Sequence, residues 1–509
     1  MPPVNRLCRL VIQSQFGPIV AQVSEALLEN GRSTLRNLVS LTTLSRALVR
    51  EALVILMQHG LAKYSETIQG IDRVVIHYVA VESEILLRER AAAYICIARD
   101  RFGDKAAEIV EHILAYGAQC HDSIVTACGI SCTPVFAELC KARLVIPSTS
   151  RDSLYSLDSI MKREAEEVSK MGVPPTKVEL TKLRKRLAEE RDEADLQAAK
   201  RTKLSVNEAG GIEETMDLEG NSRWKLNLDM FHLDLKIQSI VELARYTIND
   251  AAAKLLNFIM RFKMHELGRM STETVEVPIS MIMGFANEME DEFTVEKGGQ
   301  DVEELTEYLR ELQSGEIPFI RPKRSERQGA AYSCDLEKLS EIVQTRSLED
   351  TIRRRTDEVG LRIWRLVLLK GPIEDKNIAS LALADINVVR DRLVRLLERH
   401  LVIMQDVPKT ADHSASRTIF LWRVNLEKCA QNLAMDCYKG MANLNHVREA
   451  QALEARVLLE KAARSDVAAD MDKYLTEAEK QGLQQHERVT QLLRLSELRM
   501  ERQVSYLQA

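Results

Sequence analysis

The sequence predicts a mainly α-helical chain with small β wings: four tandem winged-helix domains followed by a C-terminal coiled-coil hairpin. Three observations predict it. VREALVILMQHGLAKYSE at 49–66 and VVRDRLVRLLERHLVIMQD at 388–406 align without a gap, 340 positions apart, pairing Arg50 with Arg390, Leu53 with Leu393, Leu56 with Leu396 and Leu61 with Leu401. In each, apolar residues at helical spacing give way to strand-like alternation, as in the second half of a winged helix-turn-helix. Only 5 % of the 509 residues are aromatic and only 21 are glycine, which disfavours sandwiches and barrels. Residues 425–509 contain no proline and read as two long helices.

The elements follow in order. In residues 1–80, FGPIVAQVSEALLENG ends on Gly31 as a helix C-cap, and Ser33-Thr34 offers the next N-cap. TLRNLVSLT is a short second helix and LSRALVREALVILMQHG a third. LAKYSE and VVIHYVA, turning around Gly70, form the wing. Residues 81–158 carry a third copy of the unit in CTPVFAELCKARLVIPS, with Phe136, Leu139 and Leu144 in the places of Leu53, Leu56 and Leu61. Residues 159–222 are highly charged, with Pro174-Pro175 and Gly210-Gly211, and read as a linker or insertion. Residues 223–334 hold a weaker fourth copy with Leu309, Leu312 and Ile317 in those places. Residues 335–424 hold the 388–406 copy, its wing running LVIMQDV, a loop through Pro408 to Ser416, then RTIFLWRV. In 425–509 the two helices break near Arg464–Asp466, where Ser465 or Asp466 offers an N-cap.

Bulk properties narrow the function. The formal net charge of −6 requires that any nucleic-acid affinity come from local basic faces. No run approaches the roughly 20 apolar residues of a membrane span, and the N-terminus lacks a signal-peptide pattern. Nine cysteines in so long a chain do not make a disulfide framework. Cys120, His121, Cys128, Cys132 and Cys140 cluster, but without the CxxC knuckles of zinc sites; they read as reduced core cysteines, and no metal or cofactor is expected. GxxxxGKS, HExxH and GxSxG are all absent, so no catalytic residues are assigned.

Winged helices place their third helix near DNA. Residues 1–80 carry eight basic against five acidic residues, and Arg46, Arg50, Lys63 and Arg73 are the DNA-binding candidates there. Arg390, Arg392, Arg395 and Arg399 decorate the corresponding helix of the last copy. Such cations suit phosphate contact rather than base reading, and a docking or solvated face stands beside that reading. Residues 287–316, with eleven acids against two bases, point instead to protein or solvent. Leu453, Val457, Met471, Leu475, Val489 and Leu492 form apolar stripes on the terminal hairpin and are the partner-binding candidates. Lys182, Arg184, Lys185 and Arg186, with Lys200, Arg201 and Lys203, match the two clusters of a bipartite nuclear-import signal.

The opening segment, through Leu7-Cys8, Phe16-Gly17, Leu35 and LMQHGLAKY at 56–64, resembles the start of the RPC-three family of RNA polymerase III subunits. The order of parts resembles it too: four winged helices, a charged insertion after the second and a C-terminal coiled coil. That resemblance implies a non-catalytic nuclear subunit, similar to the large chain of TFIIE. It would join two smaller partners in a clamp-bound subcomplex that aids promoter opening and initiation at transfer RNA and other short RNA genes. TFIIE's zinc ribbon has no counterpart here. Two other classes stay open. A free DNA-binding regulator is disfavoured by the charge balance. A scaffold of the proteasome-lid or signalosome kind is disfavoured by a winged helix at the very start of the sequence.

Overall fold

The computed structural model describes residues 3–69, 73–148, 150–155, 161, 163–164, 167–170, 179–187, 204–206, 212–214, 223–264, 273–288, 301–325, 329–408, 418–465, 467 and 471–508. It divides into two compact units. One comprises residues 1–237, 258–282 and 322–333, the other 238–257, 283–321 and 334–509.

The first unit opens with helices α1 (Pro3–Phe16) and α2 (Pro18–Asn30), then β1 (Ser33–Thr34), α3 (Leu35–Thr42), α4 (Arg46–Gln58), β2 (Ala62–Gln69) and β3 (Arg73–Ala80). Their sheet order is β1-β3-β2. The Gly31 C-cap forms, and Thr34 and Ser45 cap α3 and α4 by accepting from the N–H groups of Asn37 and Leu48. Leu38, Val49, Leu53, Leu56 and Leu61 are fully buried.

The helix-to-strand junction explains why the repeat is legible. Gly60 adopts φ 73°, so the chain reverses and the Leu61 N–H reaches back to the Leu56 carbonyl at 2.8 Å. This is a Schellman closure, in which a left-handed residue lets the orphan carbonyls of the last helical turn find donors. The same bond joins Leu144 to Leu139 at 3.0 Å and Leu401 to Leu396 at 2.9 Å. There Arg143 and His400, each at φ 57°, stand where Gly60 does.

Next come α5 (Glu82–Leu87), α6 (Ala91–Phe102), α7 (Asp104–Tyr116), β4 (Gln119–Cys120), α8 (His121–Cys128), α9 (Thr133–Lys141) and β5 (Val145–Pro147). A separate two-stranded pair, β6 (Leu204–Val206) and β7 (Ile212–Glu214), precedes β8 (Arg223–Leu226). Here the structure corrects a boundary. Strand β8 does not begin a third domain at 223; it is the middle strand of the second sheet, in the order β4-β8-β5. Trp224 lies opposite Gln119 and Pro147 and is buried, its ring edge-on to Phe136 at 5.4 Å. The charged segment 159–222 is therefore an insertion inside the second wing, because a β-hairpin tolerates extra chain at its turn without disturbing its register.

Helices α10 (Leu228–Thr247) and α11 (Asp250–Arg261) follow, then β9 (Val277–Pro278), α12 (Ile279–Glu288), α13 (Asp301–Ser314), β10 (Arg321–Ser325) and β11 (Gly329–Ser333), with sheet order β10-β11-β9. In the first unit, Asp234 of α10 is wholly buried between Arg101 of α6 and Arg261 of α11, each at 3.2 Å. Burial pushes its carboxyl above the usual range while both guanidiniums oppose that shift. In the second unit, α13 closes on the N–H of Phe319, which meets the Leu312 carbonyl at 2.8 Å. Phe319, not Ile317, thus stands in the place of Leu61. The loop is two residues longer, which is why this copy reads weakly.

The second unit continues with α14 (Leu336–Arg355), α15 (Glu358–Lys370), α16 (Asp375–Ala382), α17 (Ile386–Glu398), β12 (Ile403–Pro408) and β13 (Thr418–Arg423), with Ile373 bridging to Trp422. Long helices α18 (Leu426–Glu454) and α21 (Glu477–Leu507) flank short α19 (Arg456–Ala462) and α20 (Met471–Tyr474). They run antiparallel: Tyr438 accepts from Gln508, Arg448 meets Glu497 and Lys461 meets Glu479. The second long helix starts later than the sequence implies. Its N-cap is Thr476, not Ser465 or Asp466, because Thr476 and Glu479 form a reciprocal capping box. Among the described residues no helix is long and apolar enough to cross a membrane.

Candidate nucleic-acid and partner surfaces

On α4, Arg46 and Arg50 lie one turn apart on the exposed side, and among the described residues neither makes an ion pair. Lys63 is half-buried on β2, opposite Val79, and Arg73 begins β3 with its side chain outside the described residues. The far end of α4 is occupied. Gln58 donates to the Tyr116 carbonyl at 2.7 Å, and its own carbonyl accepts from the Ala118 N–H at 3.3 Å. Gly117 sits in this joint at φ 75°, where a Cβ would stand 2.7 Å from the Gln58 oxygen; only glycine fits.

Arg88 locks the same joint. Its guanidinium donates to Gln15 and to the Leu114 carbonyl, approaches His59 Nδ1 at 3.3 Å and stacks over Phe16. It has no carboxylate partner among the described residues, and burial lowers its pKa to about 10. Burial first, and Arg88 second, push His59 down to about 4, so His59 is neutral at physiological pH.

The matching helix α17 differs in electrostatics. Arg390 pairs with Asp375 at 2.6 Å, Arg392 with Asp357 at 2.8 Å and also with Asp391, and Arg395 with Asp391 at 3.2 Å. Of the four arginines only Arg399 lacks an ion pair among the described residues. The two faces are therefore not equivalent, contrary to the expectation that treated their cations alike. Asp391 is an i+4 neighbour visible in sequence, whereas Asp357 and Asp375 come from the starts of α15 and α16 and only folding brings them close. The apolar positions match better: Leu41 and Leu381, and Val54 and Val394, are exposed in both copies. Leu383 takes the left-handed turn position of Thr43, with φ 52° and 89 % of its surface exposed.

The partner-binding candidates also separate. Leu453, Val457 and Leu492 are exposed, Val489 is half-buried, and Leu475 is buried, so Leu475 packs within the chain rather than facing a partner. The Met471 side chain lies outside the described residues. In the first import cluster, Arg184 pairs with Glu164 and Arg186 with Glu167, while Lys182 is exposed. Lys200, Arg201 and Lys203 lie outside the described residues. Of the cysteine cluster Cys132 is fully buried and burial pushes the Cys140 thiol up to about 12, while Cys120 and Cys128 are partly exposed, a correction to the reading of those two as core residues.

The family model for the RNA polymerase III subunit RPC82 helix-turn-helix domain matches residues 6–67, from α1 into the first wing. The model for the POLR3C C-terminal winged-helix domain matches residues 348–424, through β13. The DNA-directed RNA polymerase III subunit RPC3 of Rattus norvegicus is 28 % identical over 481 residues, covering 90 % of this chain and 86 % of its own. The subunit of that name from Homo sapiens is 27 % identical over 509 residues, covering 95 % and 90 %. That of Yarrowia lipolytica is 23 % identical, covering 94 % and 93 %. With two family models matched and relatives aligned along nearly its whole length, the chain is similar to the RPC3 subunits of RNA polymerase III.

Proposed function

We propose that this chain is a non-catalytic, nuclear subunit of RNA polymerase III. It joins two smaller partners in a clamp-bound subcomplex and aids promoter opening at transfer RNA and other short RNA genes. The observation that carries the reading is the alignment with RPC3 subunits over nine-tenths of both chains. Its DNA contact is electrostatic and lies on the first winged helix, where Arg46 and Arg50 are exposed and make no ion pair among the described residues. Lys63 and Arg73 stand in the adjoining wing. Arg399 is the remaining cation of the last copy available to a phosphate. The exposed apolar residues of the terminal helices, Leu453, Val457 and Leu492, hold the chain to its partners. The basic segment containing Lys182 and Lys185 serves nuclear import.

The test is to purify polymerase through a tag on this chain and to prepare the same enzyme depleted of it. The tagged enzyme should initiate on a closed transfer RNA promoter. The depleted enzyme should fail there yet extend RNA on a template opened in advance. Failure on the opened template as well would refute a role confined to initiation, and absence of polymerase from the tagged preparation would refute the reading outright.

A further inference from the structure

We propose that the outward face of α21 over residues 488–499 docks an acidic amphipathic helix of another protein. This rests on the reading of the chain as an assembled subunit and names the partner's chemistry. The face was only partly visible in the sequence, through Leu492.

Leu492, Leu495 and Leu498 expose 64 %, 44 % and 45 % of their surface, three large apolar side chains within two helical turns. Arg488, Arg494 and Arg499 are exposed beside them, and none makes an ion pair among the described residues. Between Arg488 and Arg499 the one carboxylate is Glu497. It is buried on the opposite side, where Arg448 of α18 donates to it at 2.6 Å. The inner side of the helix, through Glu497, Glu501, Val504 and Leu507, is already packed. What remains is a second stripe, exposed among the described residues.

Its spacing identifies the occupant. Leu492, Leu495 and Leu498 recur at three-residue intervals, which places them on one side of the helix as a short stripe that another α-helix can cover. Its charge selects among helices. A row of leucines beside three exposed guanidiniums, of which Arg488 and Arg499 meet no carboxylate among the described residues while Arg494 acts on Glu497, attracts a helix with leucine-like anchors and flanking Asp or Glu, since desolvating the leucines strengthens the flanking ion pairs. A second copy of this face would set arginine against arginine, which is repulsive. A nucleic acid would satisfy the arginines but leave three leucines against phosphate.

The experiment uses assembled polymerase containing the full-length chain with a photo-crosslinking residue in place of Leu495, the crosslinked peptide being mapped by mass spectrometry. The expected product is a helical segment of another subunit, net acidic, with apolar residues at three- and four-residue spacing. The triple variant R488E/R494E/R499E should lower the crosslink yield at least tenfold. Reversing the acids of the mapped segment to lysine should restore it. A crosslink to nucleic acid, to a second copy or to a segment without that pattern overturns the proposal, as does no crosslink or no charge-swap rescue. If the chain does not co-purify with polymerase at all, the underlying reading fails. If it co-purifies and only the crosslink disagrees, this inference alone fails.

Discussion

Replacing Arg46 and Arg50 together by alanine isolates the electrostatic part of DNA binding. Both arginines are exposed and make no ion pair among the described residues, so each is free to neutralise one phosphate and release the counterion held there. Each lost contact lowers the salt slope of log affinity by roughly 0.9 on duplex and 0.7 on single-stranded DNA, so the pair should lower it by about 1.8 or 1.4. The fourfold variant R390A/R392A/R395A/R399A removes twice as many cations and should do less. Three of those arginines hold carboxylates at 2.6 to 3.2 Å. Moving one onto a phosphate frees a carboxylate that takes up a cation, which cancels the release. Only Arg399 remains, for a change of about 0.7 to 0.9 at most. Alanine keeps helix propensity, so helix content and assembly should survive in both variants. The assay is a salt titration of promoter DNA binding by assembled polymerase, with unrelated sequences alongside. An unchanged slope in R46A/R50A would refute the argument, and so would a larger change in the fourfold variant. A loss confined to one promoter would show base reading instead.

Three further outcomes follow from the packing. Asp234→Asn should destabilise the first unit by about 3 kcal/mol, seen in chemical denaturation, because it leaves Arg101 and Arg261 without their shared buried counter-charge; a change below about 1 kcal/mol would mean water already neutralises them. His59, lowered to about 4 in the fold against 6.5 unfolded, favours the native state while neutral. Its contribution is therefore complete above pH 6.5 and lost as pH falls towards 4, on the order of 1–3 kcal/mol. His59→Gln should flatten that part of the stability–pH curve, and an identical curve would contradict the assignment. Leu383→Gly should raise stability by roughly 0.5–1 kcal/mol, because it relieves a left-handed leucine whose side chain is almost wholly exposed; a lower melting temperature would show that the leucine is held by contacts here.

The sequence by itself determined the local units. Helix α4, its Ser45 cap, the buried Leu53, Leu56 and Leu61 and the strand beyond them all lie within one short segment, where periodicity and capping act between near neighbours. The same local logic made Leu144 and Leu401 legible as the partners of Leu61, since one backbone closure sets one spacing. Tertiary structure decided what depends on residues distant in sequence. Strand β8 joins the second sheet across the whole insertion because a hydrogen-bond ladder needs register and not chain proximity. Phe319 displaces Ile317 because a junction longer by two residues shifts which N–H can reach the helix end. Arg390 and Arg392 of α17 are paired with Asp375 and Asp357, carried there on other helices, while among the described residues Arg46 and Arg50 of α4 make no ion pair; alike in sequence, the two faces differ in charge because Coulomb energy depends on separation in space.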